Sequence, residues 1–427
     1  MDTTIFKILI QEKQDEISKV RLVRRNLNFD PACNYVLVGV RRAGKSYALF
    51  QHIQDLIEAK QATRESILYV NFEDDRLAGI TVADLHLVLD AFKELFDTQP
   101  IIFLDEIQIV AGWEKFARRL ADSGYRVFIT GSNAQMLSRE IYSTLGARFN
   151  VHEIFPFSFG EFLKYKKIDL PKNWETSQSR FEIRRLFAEF FTFGGLAQSF
   201  SMQERREWTT GILQKVLLGD IAARHDLRNT RALQLLCRKL AESVLQPVSQ
   251  TRLCNVLAAA GENVGRASVS NWLRFMEDAY LIFSIANFSG SFSERAGTKK
   301  RYFSDNAFLS NFLIDPQAKL LENLVALTLR KRVPVDGLFF YKENIEIDFY
   351  LPAEKTAIQA CLSLADDATR ERETRALVSF AKAFGIEKLV IVTLDTEEKI
   401  TNKGFEIDVV PAWKWVLRQE ALTPAIK

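Results

Sequence analysis

Eight residues constrain this chain more than any others: Gly39-Val40-Arg41-Arg42-Ala43-Gly44-Lys45-Ser46. They follow a short β-rich run, Tyr35-Val36-Leu37-Val38, and precede a helix-like stretch that continues to Ile53. The order is strand, glycine-bearing loop, helix. Glycines let the backbone curl until successive N–H groups face one point, and the positive end of the following helix adds to that field. Lys45 has the reach for β- and γ-phosphates, and the Ser46 hydroxyl suits Mg²⁺. The predicted nucleotide loop is therefore Gly39, Val40, Arg41, Arg42, Ala43, Gly44, Lys45 and Ser46, with Tyr47 directly after it. Arg41 and Arg42 have two open fates, solvent or a partner.

A phosphate loop needs a metal-holding carboxylate on a neighbouring strand. Pro100–Glu106 reads PIIFLDE. Ile101–Leu104 suit a central parallel strand buried on both faces. Asp105 then emerges at the carboxyl end, where open α/β sheets place their ligands, to hold Mg²⁺. Glu106 is the candidate base for an attacking water. SILYVNFEDD (66–75) and YRVFITGSN (125–133) supply two further strands. Ser132 or Asn133 is placed to sense a γ-phosphate, or marks a simple turn. Strands separated by helical stretches imply a parallel sheet with crossover helices. Arg148 is either a charge-stabilising arginine, in cis or from a neighbouring subunit, or a partner in a salt bridge.

GVRRAGKS, NFEDDRL, FLDEIQIVAGWE, ITGSNAQMLSRE and IFPFSFGEFL together resemble prokaryotic AAA-type P-loop ATPases that carry a C-terminal domain of unknown function. FTFGGL, RYFSDNAFLSNFL, ENLVALTLRKR and EIDFYL extend the resemblance over nearly the whole chain. It implies ATP binding with hydrolysis. The choice of ATP over GTP rests on that resemblance, since no base-selective motif is legible. One departure is LGAR, where relatives place a glycine directly before the arginine.

The chain has 427 residues, too long for one ordinary core. A net charge of +3 is too mild to argue for nucleic acid without a local basic patch. Four cysteines stand apart, with no C-x-x-C pair, so neither a disulfide framework nor a zinc site is expected. The acidic start is unlike a signal peptide, and no run of about 18 apolar residues is present. The expected location is the cytoplasm, without membrane association.

Residues 160–235 are rich in Leu, Phe, Arg and Glu at helical spacing, an aromatic stripe best read as core. Residues 249–289 read as a helix-turn-helix with Gly261 and Gly265 in the turn, followed by a hairpin over YLIFSIANFS and KKRYFS. Laid in a major groove, its second helix turns Arg266, Ser270, Asn271 and Arg274 toward DNA, with Lys299, Lys300 and Arg301 on phosphates. The alternative is a packing module without nucleic acid. After residue 304, Glu322 on a helix, Asp348 on a strand and a second strand resemble the restriction-endonuclease-like fold. Active enzymes there need a further acid and a lysine, spelled E-x-K. Gln359-Ala360-Cys361 stands in that place, so a degenerate fold used for binding or assembly is expected.

The predicted class is α/β: a P-loop NTPase parallel sheet with helices on both faces, then a winged-helix domain and a C-terminal restriction-endonuclease-like α/β domain. The expected division is 1–165 for the ATPase, 166–235 for a helical linker or lid, 236–303 for the winged helix-turn-helix, and 304–427 for the nuclease-like part. The leading function is Mg²⁺-dependent ATP hydrolysis coupled to movement of the later modules, on an unknown macromolecular client. A nucleotide-gated DNA- or protein-binding switch is the alternative, and an active nuclease a third. A homo-oligomer stays open.

Overall fold

The computed structural model describes residues 2–131, 144–171, 173–175, 178–289 and 297–422. The chain divides between Phe155 and Pro156 into two compact units.

The first unit is built on five strands: β1 (Asn34–Val38), β2 (Ile67–Asn71), β3 (Ile101–Asp105), β4 (Arg126–Thr130) and β5 (Phe149–Glu153). Their order is β2-β3-β4-β1-β5, and every pairing is parallel. Tyr35–Val38, Ile67–Val70, Ile102–Asp105 and Val127–Thr130 are all buried, as strands covered on both faces must be. Helices Lys45–Glu58, His86–Leu95 and Trp113–Asp122 connect successive strands. A helix ahead of the sheet, Thr3–Lys19, starts at the Asp2 cap and buries Phe6, Leu9, Ile10 and Ile17. Its Gln14 Nε2 donates to Ile67 O at 2.8 Å, tying the helix to β2.

One face of this sheet carries a ring cluster. Phe103 and Phe128 stack with centroids 5.0 Å apart, and Phe29 meets Tyr35 edge-on at 4.9 Å. His52 and His152 sit among these rings, 4.7 and 5.2 Å from Phe29. Neither Nε2 has a hydrogen-bond partner among the described residues.

The second unit holds one nine-stranded sheet, in the order β13-β14-β12-β11-β10-β9-β7-β8-β6. Its strands are β6 (Val248–Ser249), β7 (Ile282–Asn287), β8 (Thr298–Phe303), β9 (Phe339–Lys342), β10 (Glu346–Leu351), β11 (Thr356–Ala360), β12 (Lys388–Thr393), β13 (Glu398–Asn402) and β14 (Phe405–Pro411). The hairpin β7–β8 is antiparallel, and β7 pairs parallel with β9. The expected boundary at 303/304 thus falls inside a continuous ladder. Ladder hydrogen bonds between Ala286–Asn287 and Phe339–Phe340, confirmed by Phe288 N donating to Phe340 O at 2.7 Å, fuse what the sequence reads as two modules. Helices Gln317–Arg332 and Asp367–Phe384 pack on this sheet.

Burial among rings, with Arg126 near His52 and Arg25 near His152, pushes the two imidazoles from 6.5 down to about 3 and about 4. Both are neutral in the folded protein and bind a proton only when it unfolds. Their contribution is therefore complete above pH 6.5 and is lost as pH falls through 6.5 toward 4. His52→Phe should keep the ring packing and lose roughly 2 kcal/mol less between pH 7.5 and pH 5 than the native chain. Urea midpoints at the two pH values test this; equal losses would place the acid sensitivity elsewhere.

Candidate functional site

The loop after β1 turns where the sequence expects it. Gly39 has φ 139°, and a Cβ there would stand 2.2 Å from Ile154 O, so only glycine fits against β5's end. Ile154 N donates to Val38 O at 2.7 Å and holds that approach. Gly44, at φ 98°, starts the helix Lys45–Glu58 without a side-chain cap. The first N–H groups of that helix consequently face the loop, not a capping oxygen. Lys45 is nearly buried; its Nζ donates to Gly39 O at 3.1 Å and Val40 O at 3.4 Å and lies 3.8 Å from Glu106 Oε1. Arg42 holds φ 67° and is exposed, Arg41 reaches Glu73 at 3.5 Å, and the Tyr47 ring is 57% exposed beside the loop.

Asp105 ends β3, and its carboxylate is buried. Tyr69 OH, on β2, donates to Oδ2, and Thr130 OH, on β4, donates to Oδ1. Ser46, at the start of the helix Lys45–Glu58, favours the ionised form of the same carboxyl. Burial, then the charge of Glu106, raise the Asp105 carboxyl above its ordinary value, and the three hydroxyls act against that rise. Burial beside Asp105 also raises the Tyr69 phenol, which stays a donor. Glu106 sits at φ 54°, a left-handed position for a non-glycine residue. Its N–H donates to Thr130 Oγ1 at 3.0 Å, and Gln108 Nε2 donates to Oε2. Strand register brings Lys45, Ser46, Asp105 and Glu106 together, although Asp105 lies 60 positions from Lys45.

One expectation changes. The register pairs Asn34 with Phe149 and Val38 with Glu153, so Arg148 stands at the amino end of β5. The phosphate loop leaves the opposite end, four strand residues or about 13 Å away. Arg148 Nε instead pairs with Asp122, and its in-cis role at the loop is withdrawn. Ser132 and Asn133 lie outside the described residues. The two positioning hydroxyls, Tyr69 and Thr130, were not singled out from sequence. Their only signals were a tyrosine inside an apolar strand and a threonine at the end of FIT.

The family described as AAA domain matches residues 33–163, and a domain of unknown function, DUF8612, matches residues 184–318. An uncharacterized protein of Methanocaldococcus jannaschii is 33% identical, covering 97% of this chain and 95% of its own. The chain belongs to this family of AAA-domain proteins. An uncharacterized Haemophilus influenzae protein is 30% identical over 88% of this chain and 93% of its own. Among solved structures, the Walker-type ATPase of Pyrococcus abyssi superposes with a TM-score of 0.40 at 14% identity, covering 71% of this chain and 95% of that one. The Aeropyrum pernix ORC1 protein in complex with DNA gives 0.29 at 16% identity, with 72% and 92% covered. No helix among the described residues is long and apolar enough to cross a membrane.

Beyond the AAA domain, helices Gln250–Ala259 and Arg266–Asp278 flank a turn with Gly261 at φ 84°, and β7–β8 follow. Arg266, Asn271 and Arg274 are exposed, while Ser270 is half-buried against Gln250 Nε2 at 3.3 Å. The expected phosphate contacts of Lys300 and Arg301 are corrected. Lys300 is fully buried, and Arg301 is buried with Nη1 donating to Val248 O at 3.0 Å. Only Lys299 of that trio keeps partial exposure. Gln359, in the E-x-K place, uses its amide on backbone: Oε1 accepts from Asp348 N at 2.8 Å and Nε2 donates to Glu346 O at 2.9 Å.

Thr130→Val removes the donor to Asp105 and the acceptor of Glu106 N at once. It should lower the stability of the first unit by about 1–3 kcal/mol, the range for a buried polar group left without its partner. Denaturant titration reads this, and an unchanged midpoint would show that the Asp105 carboxylate does not depend on Thr130.

Proposed function

We propose that the AAA domain binds ATP with Mg²⁺ and hydrolyses it, driving the second unit against a macromolecular client. The observation that carries this reading is the Glu106 carboxylate, 3.8 Å from Lys45 Nζ, on a residue whose backbone N–H donates to the Thr130 hydroxyl that in turn donates to Asp105. Binding alone needs the loop and the lysine; a second carboxylate beside them suits proton abstraction. Backbone amides of Gly39–Ser46 and the Lys45 ammonium would hold the phosphates, while Ser46 and Asp105 would hold Mg²⁺. The donor set fits that ion, since a hydroxyl and a carboxylate are the hard oxygen ligands it takes. When bound, the ion neutralises charge on the phosphate oxygens. Glu106 would accept a proton from water as the water oxygen bonds to the γ-phosphorus and the bond to the β-phosphate oxygen breaks, giving ADP and phosphate. Ser132 and Asn133 are retained as γ-phosphate sensors. Arg148 is retained only as a residue offered to a neighbouring subunit of a homo-oligomer.

Glu106→Gln should keep ATP affinity and lose turnover by about 10²-fold or more, the usual scale for a general base. Lys45→Ala should lose affinity as well. Calorimetry with phosphate-release assays separates the two; a Glu106→Gln protein that turns over normally would leave the nucleotide-gated switch as the reading.

The helix-turn-helix with its hairpin supports a winged-helix reading with DNA contact, on the exposed face of Arg266, Asn271 and Arg274. The sheet of β9–β14 with Glu322 and Asp348 supports the degenerate nuclease-like reading, and 166–235 stays the proposed linker. Replacing both arginines by alanine should reduce the salt-dependence slope of duplex binding by roughly two. Fluorescence anisotropy at several salt concentrations checks it, and an unaltered slope assigns the module to protein packing.

A further inference from the structure

Lys300 is the residue the sequence most misplaces, and its surroundings are unlike those of any other lysine described here. It lies on β8 with none of its side chain exposed. Its Nζ is 2.8 Å from Asp348 Oδ1 and 3.3 Å from Glu346 Oε1, both on β10, and 3.1 Å from Glu322 Oε1 on helix Gln317–Arg332. Tyr302 OH donates to the same Glu322 oxygen at 2.8 Å, and Ala360 N donates to Asp348 Oδ2 at 3.0 Å. The carboxylates open onto a cavity of ≈ 720 Å³ that Glu322, Glu346, Asp348, Gln359, Cys361 and Glu373 help to line.

This is the arrangement of a cation site with the chain's own ammonium at its centre. Three carboxylates from two elements converge on one positive atom. The contacts are 2.8–3.3 Å, the spacing of N–H···O pairs, whereas Mg²⁺ and Ca²⁺ draw oxygens to about 2.0–2.6 Å. Among the described residues, no group of three or more His, Cys, Asp or Glu is arranged to hold a metal. The restriction-endonuclease-like resemblance implies a divalent ion here, and the residues present do not fit one. Gln359 is committed to backbone, and the position a metal would share with Glu322 and Asp348 is filled by Lys300 Nζ. A buried ammonium requires paired carboxylates, and these carboxylates require a cation, so each fixes the other.

We propose that Lys300 is the resident cation of this cavity: its ammonium stands in for a divalent metal, and the cavity becomes a divalent-cation site only when that ammonium is removed. Lys300 is near enough to each carboxylate that a second, doubly charged ion would meet direct repulsion. Removing the ammonium leaves Glu322 and Asp348 without their ion-pair partner and Glu346 with Lys342 alone, and oxygen ligands of this kind select hard divalent ions. The inference is independent of what the AAA domain does.

The test uses the full chain without nucleotide and Mn²⁺ as the probe, followed by electron paramagnetic resonance. In the native protein, Asp348→Asn should leave the Mn²⁺ titration unchanged. Lys300→Ala should add one Mn²⁺ per chain, bound at least roughly tenfold tighter than anything Asp348 holds in the native protein, and a second change, Asp348→Asn, should abolish it. If Lys300→Ala is too unstable to titrate, added Mn²⁺ should raise its melting temperature and leave that of the native chain unmoved. Native Mn²⁺ binding that depends on Asp348 would overturn the proposal, as would a Lys300→Ala protein that gains neither binding nor stability from Mn²⁺.

Discussion

The first unit depends on a buried carboxylate. Asp105 ends the strand flanked by β2 and β4, and a charge so placed is tolerated only when hydrogen bonds replace the water it has lost. Tyr69 supplies one from β2 and Thr130 one from β4, and Ser46 in the phosphate loop favours the same ionised form. The same contacts that satisfy Asp105 set the relative positions of three strands and one helix start. Thr130 then reaches on to Glu106 N, which helps hold Glu106 in its left-handed conformation and its carboxylate toward Lys45. Fold and site here are one hydrogen-bond network.

The second unit answers a like problem with the opposite sign. Lys300 is a charge inside a core, and three carboxylates surround it. In both units a buried ion recruits partners from separate elements, so each network joins distant parts of the chain. The outcomes differ in chemistry. Around Asp105 the partners are mostly hydroxyls, which leave a carboxylate fit to share a metal. Around Lys300 the partners are carboxyl groups, which leave a centre already occupied by an ammonium.

The strand-loop-helix of Gly39–Ser46 and the acid pair at 105–106 were legible in the sequence because they depend on local backbone geometry. A glycine that must meet Ile154 O without a Cβ, and four apolar residues running into an aspartate, leave their mark in adjacent letters. Four of the five parallel strands followed from the same pattern of buried runs; β5, with Asn150 and Val151 exposed, does not show that pattern. Arg148 was not legible, since the end of the sheet on which a residue falls is set by strand direction and register. Nor were Tyr69 and Thr130, whose roles exist only once β2 and β4 flank β3.

The second unit shows the limit more sharply. KKRYFS reads as a basic stretch suited to phosphates, because three adjacent cations look like surface. Only the pairing of β7 with β9, which draws β8 into a nine-stranded sheet, carries Lys300 inside and sets it among Glu322, Glu346 and Asp348. Sequence determined the chemistry that neighbouring residues can perform together: a phosphate loop, and an acid pair at the end of a strand. Tertiary structure decided which charges meet across many positions, because burial and electrostatic pairing depend on distance in space, which the spacing of letters does not encode.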